Sequence, residues 1–277
     1  MQRRFAQVDV FTETAYRGNP LAVVHDADGL SDAEMQRFAN WTNLSETTFL
    51  LPPTVAAADY RVRIFTTYGE LAFAGHPTLG TCHSWLEAGG VPQRTGVIVQ
   101  ECAAGLVDVR DDSERLAFAA PPLLRSGPIE PALLDEIAAV LRIDAAAIVD
   151  SAWVDNGPGW VAVLLDTAAA VLAIQPADTP LKIGVVGPHP PGAPADVEVR
   201  AFFPNNGGST AEDPVTGSLN ASVAQWLLGS GRLSAPYVAS QGTVLGRAGR
   251  VRIERDDNGT IWVGGSTITC ISGTVEI

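Results

Sequence analysis

The feature of this sequence that most restricts its fold is an internal duplication. Three landmarks in the first half of the chain recur in the same order about 140 residues later. They are a turn followed by an apolar strand, a short strand that contains an arginine, and a helix that begins with small residues. The landmarks lie at 18–24 and 157–163, at 62–65 and 199–202, and at the helices that begin with Gly75 and Gly217. Their order and nearly constant spacing predict two similar halves.

A proline-rich segment, Ala119 to Pro131, separates the halves and is typical of a linker. We therefore place a domain boundary near residue 120, with an N-terminal half at 1–120 and a C-terminal half at 121–277. The first half has a capping box, Ser31-x-x-Glu34, before a surface helix, and residues 131–141 are the expected counterpart of that helix. β-Branched alternation predicts strands at 61–65, 97–109, 199–203, 250–253 and 261–277. The fold class is therefore α+β.

Composition excludes several classes of partner. The chain has 277 residues, and its 31 acidic and 18 basic residues give a net charge of −13, which repels nucleic acid and anionic membranes. No stretch has the length and apolar character of a spanning helix, and no apolar segment follows the first arginines as in a signal peptide. Three widely spaced cysteines fit a reducing compartment. We expect a cytoplasmic protein that binds neither nucleic acid nor membrane.

The two recurring helices begin with small residues, which include Gly75 and Thr78 in the first and Gly217, Ser218 and Asn220 in the second. Small side chains let a strand or a ligand approach the backbone closely. The N–H groups at a helix N-terminus also attract a carboxylate or a developing oxyanion. If the two helices face each other across a domain interface, these groups converge on one anion-binding cleft.

Three ionisable residues lie beside these elements. Glu46 stands at the entrance to an apolar run, where partial burial would favour a general base; an exposed carboxylate at a strand end is the alternative. His76 follows Gly75, where the positive helix end would keep the imidazole neutral; a capping histidine is the alternative. Asp213 precedes the second central helix, and a simple helix-entry turn is the alternative.

Metal and nucleotide sites are not indicated. His76, Cys82 and His83 are close in sequence, but no second pair of ligands accompanies them, so we expect no metal. The segment Gly75 to Thr81 lacks the lysine of a phosphate-binding loop, and no Gly-x-Gly-x-x-Gly motif opens a helix. ATP and NAD are therefore not expected as cofactors.

Four motifs together resemble one known family, the PhzF-like isomerases of phenazine biosynthesis, over nearly the whole chain. The motifs are Gly18-Asn19-Pro20-Leu21-Ala22-Val23, Asn43-Leu44-Ser45-Glu46-Thr47, Ala74-Gly75-His76-Pro77-Thr78-Leu79-Gly80 and Glu212-Asp213-Pro214-Val215-Thr216-Gly217-Ser218. The resemblance implies the diaminopimelate-epimerase-like fold: two pseudo-symmetric α+β domains, each a curved sheet around a central helix, with the active site in the cleft between them. In that fold the last strand, here 267–277, often returns to the N-terminal half.

The resemblance also implies an activity: the movement of a proton on a small unsaturated carboxylic acid, of which dihydro-hydroxyanthranilate is the best-known example. It implies that no cofactor is needed and that the protein is a homodimer. The implied catalytic residues are Glu46 as the proton-transfer base, with His76 and Asp213. The implied substrate-binding residues are Asn19, Gly75, Gly217 and Ser218.

Two alternatives and one open question accompany this interpretation. Related epimerases use a cysteine at the start of each central helix, where this chain has Gly75 and Gly217, so a two-thiol mechanism is not expected. A binding or regulatory protein that keeps the site without turnover is the second alternative. Many relatives carry a histidine where this chain has Asn220, and the sequence leaves open whether Asn220 reaches the ligand.

Overall fold

The computed structural model describes residues 1–112, 115–205 and 207–277. The chain forms two compact units. Unit 1 comprises residues 1–119 and 264–277, and unit 2 comprises residues 120–263. The last strand, 267–277, which the sequence did not assign to one half, therefore lies in unit 1.

Before the chain enters unit 2, the described part of unit 1 forms strands and two helices longer than ten residues. In chain order they are β1 (Gln2–Val10), β2 (Asn19–Val24), α1 (Asp32–Thr42), β3 (Glu46–Leu51), β4 (Tyr60–Thr66), β5 (Glu70–Leu71), α2 (Gly75–Glu87), β6 (Val97–Cys102), β7 (Gly105–Asp111) and β8 (Leu116–Ala119).

The described part of unit 2 follows with three α-helices, and the chain then returns to unit 1. The elements are β9 (Arg125–Gly127), α3 (Pro131–Leu141), β10 (Ile148–Asp155), β11 (Trp160–Leu165), α4 (Ala168–Ala173), β12 (Lys182–Pro188), β13 (Val197–Pro204), β14 (Thr210–Glu212), α5 (Gly217–Gly229), β15 (Tyr237–Gln241), β16 (Gly249–Arg255), β17 (Ile261–Gly265) and β18 (Thr267–Glu276). Among the described residues, no helix combines the length and the apolar character needed to cross a membrane.

The sheet of unit 1 is mixed and is built around α2. β18 runs antiparallel to β1 from Gln2↔Glu276 to Val10↔Thr267, and β1 is antiparallel to β2. β2 is parallel to β3, β3 is antiparallel to β4, and β4 is parallel to β6, which continues into the antiparallel strands β7 and β8. Because α2 packs against β1, β2, β3 and β8, the sheet curves around this helix.

Unit 2 repeats the same pattern of pairing. β10 is antiparallel to β11, β11 is parallel to β12, β12 is antiparallel to β13, and β13 is parallel to β15, which pairs with β16. β1 to β7 thus correspond to β10 to β16, and α2 corresponds to α5. The duplication predicted from the sequence is present in the order and direction of the strands.

Three details of the secondary structure differ from the sequence prediction. The counterpart of α1, which joins β2 to β3, is α4 between β11 and β12, so the expectation for residues 131–141 was wrong. Those residues are helical, but α3 precedes β10 and has no equivalent among the described residues of unit 1. The proposed linker contains β9, which pairs with β10. The strands expected at 97–109 and 261–277 are each two strands. Residues 103–104 form the turn of the first pair, and Gly105 (φ 110°) follows it.

The small residues of α2 let strands approach the helix. A Cβ atom at Gly80 would lie 2.6 Å from the side chain of Leu21 and 2.9 Å from that of Val10. Further along, Thr81 donates a hydrogen bond to Thr48 at 2.8 Å. Close contact with β1, β2 and β3 therefore explains the composition of this helix beyond its first turn.

Candidate functional site

Glu46 is the first residue of β3, and the helix before it fixes where it lies. α1 begins with the predicted capping box, in which Ser31 and Glu34 each bond the other's backbone. The helix ends at Asn43, whose left-handed backbone (φ 56°) turns the chain toward β3. β3 lies between β2 and β4, so Glu46 begins an interior strand. Its side chain is 17% exposed, so it is not the solvated strand-end carboxylate that was the alternative.

His76, in the first turn of α2, lies beside Glu46. Its Nδ1 atom is 3.1 Å from Oε2 of Glu46, and its side chain is only 5% exposed. The other ring nitrogen, Nε2, lies 3.4 Å from the carbonyl oxygen of Pro20, the residue after Asn19. The structure therefore brings together three of the motifs that were singled out in the sequence, within unit 1.

The Glu46 oxygen nearest to His76 has an unusual environment. Oε2 is buried and accepts no hydrogen bond from the described residues, so the 3.1 Å contact with Nδ1 is close without being an aligned hydrogen bond. Burial of an acceptor without a donor is destabilising, because the hydrogen bonds lost from water are not replaced. Contacts between catalytic groups often become aligned only when the substrate is bound. The arrangement leaves a lone pair that could take a proton.

Two further predicted residues of unit 1 flank this pair. Asn19, at the start of β2, is 1% exposed. Asp9 shapes the turn before it, because its Oδ2 accepts the backbone N–H groups of Arg17 and Gly18 at 2.8 and 2.9 Å. Gly75 is the first residue of α2 and is buried.

Gly75 has a packing role in addition to any contact with substrate. A Cβ atom at this position would lie 2.3 Å from Cζ of Phe118, which is fully buried in β8. Phe118 is itself held edge-on against Phe73, with ring centroids 5.8 Å apart. The core of unit 1 therefore requires glycine at the start of α2.

Gly75→Ala is expected to lower the free energy of unfolding by about 1–3 kcal/mol, because the added methyl group overpacks the Phe118 ring. Urea unfolding measures the change. Gly69→Ala is the matched control, since nothing lies within 4 Å of a Cβ at Gly69. The double variant Gly75→Ala/Phe118→Leu should recover part of the loss. Equal stability of the two single variants would contradict the packing role.

Asp213, which belongs to unit 2, lies between β14 and α5. Its backbone N–H donates to the carbonyl of Ala201 in β13 at 3.0 Å, which extends the β13–β14 pairing by one residue. Its Oδ2 atom accepts the hydroxyl proton of Thr216 at 2.6 Å. The turn from Asp213 to Thr216 is thus closed by a side-chain hydrogen bond before α5 begins.

Gly217 and Ser218 form the first turn of α5, and the turn before β11 holds this helix end. The Ser218 hydroxyl accepts the indole N–H of Trp160 at 3.1 Å, and the Ser218 carbonyl accepts the amide of Asn156 at 2.9 Å. Neither Trp160 nor Asn156 was among the residues predicted for the site. The repeat was a signal for them, because their turn corresponds to the one around Asn19 and Pro20 in unit 1.

Asn220 is buried in unit 2, and its amide contacts the protein. Nδ2 donates to the carbonyl of Thr216 at 2.9 Å and to Oε1 of Gln241 at 2.8 Å. Gln241, at the end of β15, is fully buried and also accepts the backbone N–H of Thr216 at 3.0 Å. Sequence reasoning missed Gln241, because one glutamine in a strand carries no local pattern.

The central helices differ from α1 and α4 at their N-termini. α1 and α4 are capped by the side chains of Ser31 and Thr167, whereas the N-cap residues of α2 and α5, Ala74 and Thr216, make no side-chain capping bond. An uncapped helix presents N–H groups and the positive end of its dipole to an anion. Each of these two helix starts can therefore attract an anion.

The cysteines lie away from the helix starts. Cys82 is in the middle of α2, and burial raises the pKa of its thiol to about 12. Burial also raises the pKa of Cys102, at the end of β6, and of Cys270, in β18. Only the thiolate is a strong nucleophile or base, so none of these thiols suits proton transfer near neutral pH.

Alkylation with iodoacetamide at about pH 8 is expected to leave Cys82 unmodified in the folded protein, because a thiol with a pKa of about 12 is roughly 10⁻⁴ ionised there. Intact-mass measurement and peptide mapping check this, with the urea-unfolded protein as the control in which Cys82 reacts. We also expect catalytic activity to survive the treatment. Its complete loss would revive the two-thiol mechanism.

No metal centre is evident among the residues that the structure describes. Within those residues, no group of three or more His, Cys, Asp or Glu side chains is arranged to hold a metal ion. His83, which was considered as a ligand together with Cys82, lies 3.3 Å from Oε1 of Glu87 and 3.1 Å from the hydroxyl of Thr269.

Comparison with known proteins covers nearly the whole chain. Residues 8–273 match the family described as phenazine biosynthesis-like protein. The chain is similar to Antisense-enhancing sequence 1 of Schizosaccharomyces pombe, with 36% identity over 98% of each chain. It is also similar to the trans-2,3-dihydro-3-hydroxyanthranilate isomerase of Pseudomonas chlororaphis, with 31% identity over 98% of each chain.

Solved structures show the same fold. A PhzF-family phenazine biosynthesis protein of Bacillus anthracis superposes with a TM-score of 0.83 at 21% identity, over 100% of both chains. A hydroxyproline epimerase of Agrobacterium vitis superposes with a TM-score of 0.58 at 14% identity, over 99% of this chain and 92% of the epimerase. The α+β fold is thus the epimerase-like fold that the sequence motifs implied. This chain belongs to the phenazine biosynthesis-like, or PhzF, family.

Proposed function

We propose that this protein is an isomerase that moves a proton on a small unsaturated carboxylic acid of the trans-2,3-dihydro-3-hydroxyanthranilate type, with Glu46 as the base and without a cofactor. The similarity to an isomerase with that substrate in its name supports the reaction class. One observation supports the base: Oε2 of Glu46 is buried, accepts no hydrogen bond from the described residues and lies 3.1 Å from His76.

In the proposed reaction Glu46 removes a proton from a saturated carbon next to the conjugated system. The electron pair of the broken C–H bond enters that system, and a proton is then returned to a different carbon, so no atom or electron is gained or lost. His76 is placed to stabilise Glu46 in both protonation states, because its Nδ1 lies against the reacting oxygen. Burial of the pair keeps competing water away from the carbanion-like intermediate.

The substrate carboxylate is proposed to bind through backbone N–H groups at the uncapped helix starts, which include those of Gly75, Gly217 and Ser218. Asn19 is proposed as a further polar contact beside His76. Asp213 is proposed to hold or relay the proton that Glu46 releases. These roles follow from the family resemblance and from the helix chemistry described above.

Proton NMR in D₂O with trans-2,3-dihydro-3-hydroxyanthranilate tests the proposal. We expect conversion to an isomer with deuterium from solvent bound to carbon, since a carboxylic acid exchanges its proton with D₂O. Absence of conversion and of exchange would overturn the proposed substrate class. If saturable binding accompanied that absence, the result would indicate the non-catalytic binding protein instead.

A further inference from the structure

The two units contain the same buried contact between a strand glutamine and the central helix. In unit 1, Gln100 of β6 donates to the hydroxyl of Thr78 at 2.9 Å, and that hydroxyl donates to the N-cap carbonyl of Ala74 at 2.9 Å. Asn220 occupies the position of Thr78 in unit 2. It bonds Gln241 of β15 and donates to the N-cap carbonyl, that of Thr216. This shared contact joins a strand to the start of each central helix.

Unit 2 adds two polar groups to the shared contact. The N-cap residue is Ala74 in unit 1 and Thr216 in unit 2. Three residues earlier, unit 1 has Leu71 where unit 2 has Asp213. Because unit 1 forms the same helix start without a hydroxyl or a carboxylate, the fold itself does not require Thr216 and Asp213 to be polar.

The hydrogen bonds around Thr216 fix the direction of its hydroxyl. Oε1 of Gln241 accepts two protein donors, the Thr216 backbone N–H and the Asn220 amide, so Nε2 is the amide atom that faces Thr216. Nε2 donates to Oγ1 of Thr216 at 2.9 Å. The hydroxyl proton is therefore directed to the remaining partner, Oδ2 of Asp213, at 2.6 Å.

The hydroxyl of Thr216 does not make the hydrogen bond that is usual for a threonine at the N-cap, in which it accepts a backbone N–H of the first turn. Thr167, the N-cap residue of α4, accepts the backbone N–H of Ala170 with its hydroxyl. Thr216 occupies the same position at α5 and makes no such bond. Its hydroxyl donates to the carboxylate of Asp213 instead of capping the helix.

We infer that Thr216, oriented by Gln241, is a positioning residue that holds Asp213 as an ionised carboxylate in one orientation for the reaction. The inference rests on the proposed function, which assigns Asp213 to proton transfer. A donor hydrogen bond stabilises the charged form of a carboxylate, and a buried amide behind the hydroxyl keeps that donor from turning away. Other charged groups near this turn are the Glu212–Arg200 pair and Arg247, whose Cβ packs against Gly242.

The test compares Thr216→Ala with Thr216→Ser and with Thr167→Ala, which removes a capping threonine elsewhere in unit 2. The first measurement needs no substrate: the ¹³C carboxyl resonance of Asp213, assigned with Asp213→Asn, is followed against pH in the full chain. We expect its titration midpoint to rise by about one pH unit in Thr216→Ala. It should stay at the parent value in Thr216→Ser and in Thr167→Ala.

The second measurement is the pH dependence of turnover of trans-2,3-dihydro-3-hydroxyanthranilate. We expect kcat of Thr216→Ala to fall about tenfold, with its acid limb at higher pH and KM within about twofold. Thr216→Ser should restore both. A parent-like carboxyl titration in Thr216→Ala would overturn the inference, whatever the activity. If Thr216→Ala shifts the titration of Asp213 but the parent protein shows no turnover, the positioning role is upheld and the proposed function is rejected.

Discussion

Glu46→Gln is expected to lower kcat for trans-2,3-dihydro-3-hydroxyanthranilate by about 10³-fold, because the amide cannot accept the proton from carbon. KM should change much less, since Gln keeps the shape of Glu and the substrate carboxylate is bound elsewhere in the proposal. Incorporation of deuterium from D₂O, followed by proton NMR, measures the loss directly. Exchange and conversion should fall together if one base performs the proton removal.

The chain offers a matched control for this variant in the same unit. Glu87 lies 3.3 Å from His83, a second Glu–His pair in unit 1, and its side chain is 52% exposed. Glu87→Gln should keep the parent kcat, because Glu87 is exposed and no role in the reaction is proposed for it. Thermal unfolding of both variants excludes loss of folding as the cause. Full turnover by Glu46→Gln would reject Glu46 as the base.

Much of the fold follows from short-range and repeated signals. Ser31 and Glu34, with two residues between them, predict a helix start, and the structure contains that capping box. The duplication predicts two equivalent units, because order and spacing survive even where side chains differ. Residues 131–141 show the limit of such signals. Their helical pattern is correct, but only the pairing of β11 with β12 reveals that α4, and not α3, corresponds to α1.

The residues of the candidate site also differ in whether a local sequence pattern indicates them. Glu46, His76 and Asp213 could be proposed from the sequence because each lies in a motif beside a turn or helix start. Gln241 could not, because its partners, Thr216 and Asn220, lie more than twenty residues earlier and β15 alone contains no pattern for them. The sequence alone does not show why residue 75 is glycine. The position of Phe118 shows that packing is one reason.

Corresponding positions of the two units each hold an arginine–glutamate ion pair, and the two pairs differ in exposure to solvent. Arg63 of β4 bonds Glu70 of β5 through two hydrogen bonds of 2.7 and 2.6 Å, and Arg200 of β13 bonds Glu212 of β14 through two of 2.9 and 2.7 Å. The side chains of the first pair are 23% and 34% exposed, and those of the second are 3% and 10% exposed. Each pair joins an arginine and a glutamate through two hydrogen bonds, and the second pair is much more buried.

Whereas Arg63 bonds a second carboxylate, that of Asp32, at 2.6 Å, Arg200 bonds backbone carbonyls. Its Nη1 donates to the carbonyls of Val171 and Ile174 at 3.2 and 2.7 Å, so it joins the end of α4 to the sheet. Removal of the arginine would leave Glu212 as a buried charge and these carbonyls without that donor. Glu212 immediately precedes Asp213, so the same loss reaches the candidate site through the β13–β14 pairing.

Arg200→Met is therefore expected to lower the free energy of unfolding by about 3–5 kcal/mol, whereas Arg63→Met should cost about 1 kcal/mol or less. Urea unfolding of the two variants under identical conditions measures the difference. The double variant Arg200→Met/Glu212→Met should recover most of the loss, because the buried carboxylate is then absent and a well-packed apolar pair can replace a buried ion pair. Equal losses in Arg63→Met and Arg200→Met would show that burial is not what separates the two pairs. Failure of the double variant to recover would assign the loss to the α4 carbonyls instead of to the charge of Glu212.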